Sequence, residues 1–103
     1  MTRDDSTRDD STPALILEAL RDRGLLDLLD AVCRRRNVAR EEVCGRGRTR
    51  SVSRARHELW WELRRHPGMS FGEIGRLFAR NHTTVMMGVR TFERARADAP
   101  VAA

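Results

Sequence analysis

Between residues 70 and 92 the chain reads "SFGEIGRLFARNHTTVMMGVRTF". Phe71, Ile74, Leu77 and Phe78 recur at helical spacing, and so do Val85, Val89 and Phe92. Each set marks an amphipathic helix, and only Ala79, Arg80 and Asn81 separate the two. Helices this short are marginal alone, so they must bury their stripes through tertiary packing. Ser70 and Asn81 stand where N-caps belong. Gly75, inside the first helix, predicts that the second crosses it closely. The size and punctuation are those of a helix-turn-helix.

The rest of the chain is helical in pattern as well. Thr12 reads as a cap with Pro13 at the first helical position, and "PALILEALRDRG" runs to a stop at Gly24. "LLDLLDAVCRRR" places Leu25, Leu28, Leu29, Val32 and Cys33 on one stripe. "NVAREEVCG" fits a turn and one short helix, with Val38 and Val43 inward and Gly45 as the breaker. "RGRTRSVSR" has no apolar period and is expected to be an exposed basic loop, with Ser53 capping the helix that carries Leu59, Trp60 and Leu63. Pro67 and Gly68 end it. No strand-like alternation occurs, and the predicted fold class is all-α. The expected organisation is a disordered acidic and polar tail over residues 1–12, an additional or linker-like helix over 13–24, a helix-turn-helix domain over 25–96 and a disordered C-terminus over 97–103.

Charge narrows the function. Residues 1–30 hold four Arg and eight acids, a net −4, whereas residues 34–65 hold eleven Arg and four acids, a net +7. A concentrated Arg segment beside a helical core is an electrostatic footprint for a polyanion, although an ordinary solvated basic surface has the same composition. Cys33 and Cys44 lack a CxxC partner and read as small buried apolar residues. With His57, His66 and His82 they form no familiar ligand spacing, so no metal site and no cofactor are expected. No apolar run is long enough to span a membrane, and no secretory signal opens the chain. A cytoplasmic, nucleoid-associated protein is expected.

Asn81, His82, Thr83 and Thr84 place short polar side chains on the first turn of the last helix. In a helix-turn-helix that turn enters the major groove. His donates or accepts at base edges there, and Thr offers a hydroxyl together with a methyl that matches the thymine C5-methyl. A cap and a solvated first turn would account for the same residues without DNA.

"SFGEIGRLFARNHTTVMMGVR" resembles the signature of the bacterial replication initiator DnaA family, in which a Ser-x-x-Glu-Ile-Gly helix leads to Arg-Asp-His-Thr-Thr-Val. "RGRTRSVSRARHELWWEL" resembles that family's basic loop and following helix, and "NVAREEVCG" its short turn upstream. Residues 25–95 match the family's C-terminal DNA-binding domain, a Trp-repressor-like fold, in order and spacing. The resemblance implies that His82, Thr83 and Thr84, with Asn81, read the major groove of a DnaA-box-like site, and that Arg48 enters the minor groove. It further implies that Arg56 and His57 lie at the duplex and that Ser70 meets phosphate. By position, Arg46, Arg50, Arg80 and Arg90 are expected phosphate contacts.

Departures from the family's pattern fall at Asn81 (usually Asp), Ala55 (usually Pro) and Gly88 (usually larger). Ala79-Arg80 is also one residue shorter than the common Gly-Gly-Arg, and Met86-Met87 is unusual. The ATPase of the initiator needs GxxxxGK[ST], and this chain has no such motif and no Lys. A DNA-binding regulator or competitor, not an enzyme, is therefore the expected function; the oligomeric state is not read from the sequence, a monomer being favoured. The alternative is a protein-interaction module docking through residues 13–24. RNA binding is a further alternative, since basic loops are not DNA-specific, but helix-turn-helix patterning points to a duplex major groove.

Overall fold

In the computed structural model, residues 3–98 are described, with side chains from Pro13 onward. They form six helices and, among the described residues, no strand: α1 (Arg3–Asp22), α2 (Leu26–Arg36), α3 (Arg40–Cys44), α4 (Arg50–Arg65), α5 (Phe71–Phe78) and α6 (His82–Asp98). The all-α fold expected from the sequence is the fold found. The chain resolves into two compact units, one ending at Ala55 and the other starting at Arg56, so the division falls inside α4.

In the first unit α3 packs against α1 and α2. Its core holds Ile16, Leu20, Leu29, Val32, Val43 and Val52, with Cys33 and Cys44 buried among them as free thiols. Gly24 ends α1 in the left-handed region at φ 72°. The Gly24 N–H donates to Arg21 O at 3.0 Å and the Leu25 N–H to Leu20 O at 2.8 Å, which satisfies two end carbonyls. Asn37 does the same for α2 at φ 57°. The Arg40 guanidinium then grips Asp30 with two bonds, Nε–Oδ1 at 2.7 Å and Nη2–Oδ2 at 2.9 Å, tying α3 to α2.

The second unit is organised around Trp60. This residue is 1% exposed, with the Phe78 ring edge-on at 5.8 Å between centroids. Leu59, Leu63, Met69, Ile74, Val85, Val89 and Phe92 complete the core. Beyond α4, Arg64 closes the turn: its Nη1 donates to Met69 O at 3.3 Å, and its guanidinium lies 4.2 Å from the Phe71 ring centre.

Three boundaries differ from expectation. Helix α1 begins at Arg3 rather than at Pro13, so residues 3–12, expected to be disordered, are helical. A proline's fixed φ is compatible with helix, but Pro13 has no N–H for the carbonyl four residues back, which weakens the turn there. Ile16 and Leu20 are buried, so the segment expected to be an additional or linker-like helix contributes to the first unit's core. Helix α4 begins one turn before the expected cap at Ser53: Thr49 Oγ1 accepts from the Val52 N–H at 3.3 Å, and Thr49 O from the Ser53 N–H at 2.9 Å. Helix α6 continues to Asp98. The expectations for residues 1–2 and 99–103 lie outside the described residues.

Candidate nucleic-acid interface

Helices α5 and α6 and the turn between them position the candidate reading residues. Ser70 starts α5 with a reciprocal cap. Its Oγ accepts from the Glu73 N–H at 3.0 Å, while Glu73 Oε1 accepts from the Ser70 N–H at 2.8 Å. The hydroxyl keeps its own proton to donate outward, and Ser70 is exposed.

Three residues then reverse the chain. Ala79 takes the left-handed conformation at φ 56°, ψ 44°, and the Arg80 N–H donates to Gly75 O at 2.7 Å. A Cβ on Gly75 would lie 2.6 Å from Arg80 O and 3.3 Å from the His82 backbone nitrogen. The turn therefore closes directly on the glycine's bare face, the close crossing that Gly75 predicts.

Asn81 starts α6. Its Oδ1 accepts from the Thr83 N–H at 2.8 Å, and its carbonyl accepts from the N–H groups of Thr84 and Val85 at 3.0 and 3.2 Å. Capping orients the first turn so that His82, Thr83 and Thr84 are exposed, while Val85, Gly88, Val89 and Phe92 face the core. Gly88 permits the contact with α4: a Cβ there would stand 2.7 Å from His57 Cδ2 and 2.8 Å from the Trp60 ring.

The other candidates divide into three groups. Arg90 is exposed on α6. Arg80 is half-buried, with its guanidinium 5.9 Å from the Trp60 ring centre, and His57 is half-buried with its ring centre 5.7 Å from that of Trp60. In the first unit, Arg46 and Arg48 occupy the loop between α3 and α4, Arg50 is the first residue of α4, and all three are exposed. Arg56 differs from expectation. It is 4% exposed, because its place one turn after Val52 and one before Trp60 lies on the buried stripe of α4, and its side chain is not presented at the surface. Met87 was not among the expected contacts, yet it is 57% exposed on α6. The helical period of "TTVMMGVR" is the signal that turns it outward.

A capped second helix with an exposed polar first turn, set by a tight turn on a partner helix, defines the class: helix-turn-helix DNA-binding domains. The family model described as "Bacterial dnaA protein helix-turn-helix" matches residues 26–91. The chain belongs to that family. It is 38% identical to the chromosomal replication initiator protein DnaA of Thermomicrobium roseum, over 84% of this chain and 22% of the relative. It is 36% identical to that of Mycoplasma genitalium, over 61% of this chain and 14% of the relative. The corresponding protein of Agrobacterium fabrum is 39% identical over 65% of this chain and 14% of its own length. The chain thus spans less than a quarter of these relatives. No solved structure matches it. Among the described residues, no helix is long and apolar enough to cross a membrane.

Proposed function

We propose that the chain binds a DnaA-box-like duplex sequence-specifically and acts as a regulator of, or competitor for, such sites without hydrolysing ATP. In this reading His82, Thr83 and Thr84 contact base edges, Arg48 enters the minor groove, and Arg46, Arg50, Arg80, Arg90 and the Ser70 hydroxyl hold phosphates. The observation that carries it is the cap geometry of Asn81, which leaves three exposed polar side chains on a helix start that also favours anions.

The test is equilibrium binding of the purified chain to a DnaA-box duplex and to a scrambled duplex at matched salt. A preference for the first, with a log–log salt slope of about −4 to −5 for about five neutralised phosphates, is expected. Equal binding to both duplexes, or ATP-dependent melting of an AT-rich duplex by this chain alone, would overturn the reading.

One observation favours a second reading, a protein contact through residues 13–24. Leu15 is 60% exposed on α1, beside a depression of about 400 Å³ lined by Ala14, Leu17, Glu18, Arg21, Leu26 and Arg40. A flat salt dependence of duplex binding would point to it.

A further inference from the structure

The outward face of α6 carries one residue whose chemistry differs from that of its neighbours. Met87 is 57% exposed, which leaves more than half of an apolar residue in water. At about 100° per residue it falls between the directions of Thr83 and Thr84, roughly 40° from the first and 60° from the second. It stands roughly 6 Å further along the axis than Thr83. Arg90 and Thr91 follow on the same exposed side, and the Thr91 hydroxyl donates to Met87 O at 2.8 Å rather than outward. The exposed side thus runs from short polar groups, through one apolar group, to a cation.

A helix that lies in the major groove meets base edges along its middle and phosphates toward the strands. Phosphate oxygens have no use for a thioether. Among base edges in the major groove, the thymine C5-methyl is the apolar feature. Methionine is unbranched and flexible enough to reach such a target from the second helical turn. We infer that Met87 is a specificity-determining residue that selects a thymine by contact between its side chain and the C5-methyl group. This deepens the duplex-binding reading proposed above and rests on it.

The decisive probe is deoxyuridine, which keeps every hydrogen-bonding group of thymidine and lacks only the methyl. A preferred duplex is selected from a random-sequence pool with the full chain, and each thymine in it is replaced singly by uracil. The wild-type chain should lose about four- to tenfold in affinity at one position, from the lost burial of about one methyl. Met87→Ala should lose a similar factor on the thymine duplex and lose nothing further when that same base becomes uracil. Met87→Leu should retain the uracil effect. Thr83→Ala should weaken binding but leave the uracil effect at that position intact, which separates the Met87 contact from any made by the Thr83 methyl. An undiminished uracil effect in Met87→Ala at every position, or no uracil effect in the wild type, overturns the inference while leaving duplex recognition standing. If selection enriches no duplex, the duplex-binding reading itself fails, and the role of Met87 fails with it. Unchanged helical circular dichroism in all three variants is expected, since neither side chain is in the core.

Discussion

The amide of Arg80 donates to the carbonyl of Gly75 at 2.7 Å, while the carbonyl of Arg80 lies 2.6 Å from where a Cβ on Gly75 would stand. One residue thus anchors the turn and leaves its partner no room for a side chain. Gly75→Ala sets a methyl against backbone, which cannot swing away, and is expected to lower stability by about 1–3 kcal/mol, as other overpacked sites do. Urea unfolding followed by circular dichroism measures it. An unchanged midpoint would show that the turn is not held at this crossing.

Ala79, four residues on, works against its own backbone preference. Its φ of 56° lies in the left-handed region that glycine adopts freely. Ala79→Gly should stabilise the chain by about 0.5–1 kcal/mol, with no loss of duplex affinity. Thermal unfolding and duplex titration of the same preparation check both halves.

His82→Ala and Thr83→Ala should each cost about 1–3 kcal/mol on a preferred duplex and little on a random one. Arg50→Ala should weaken both alike and reduce the salt slope by about one. Arg48→Ala should fall between, because a minor-groove arginine senses A·T narrowing as well as charge. Equal losses on both duplexes for the first two variants would show that residues 82 and 83 do not read bases.

Asp30 links stability to pH. The Arg40 guanidinium bonded to it holds its carboxyl below the usual 3.8. A folded-state pKa below the unfolded one contributes stability that is fully present above the unfolded value and is lost as pH falls through the folded one. Asp30→Asn should therefore be less stable than wild type at neutral pH, and the gap should close below about pH 4. Stability measured between neutral and strongly acidic pH shows whether the two curves converge. Parallel curves would mean that the pair contributes nothing to folding.

Much of this architecture is visible in the sequence, and the parts that are not have specific causes. Ser70 and Asn81 cap as their types and positions predict, and Gly75 marks the close crossing, because cap chemistry and glycine contacts are local. The buried stripe of α4 reads from Leu59 onward, but Ala55 and Val52 extend it about two turns earlier, so a stretch of arginines conceals the helix start just after Thr49. Arg56 shows the opposite conflict: its residue type argues for the surface, its place in the period for the interior, and the period prevails. The division of the chain within α4 leaves no mark in composition, since a continuous helix serves both units.

On α6, the four exposed residues Asn81 to Thr84 share no position with the buried stripe of Val85, Gly88, Val89 and Phe92. Under the proposed duplex reading, target preference and foldedness are thus written in separate letters of one short segment. If the exposed residues read bases as proposed, substitutions at 82–84 and 87 can change the preferred site without disturbing the core. In the proposed reading, retargeting such a protein is a search over a few surface positions on a constant scaffold, bounded by what the first two turns of α6 can touch.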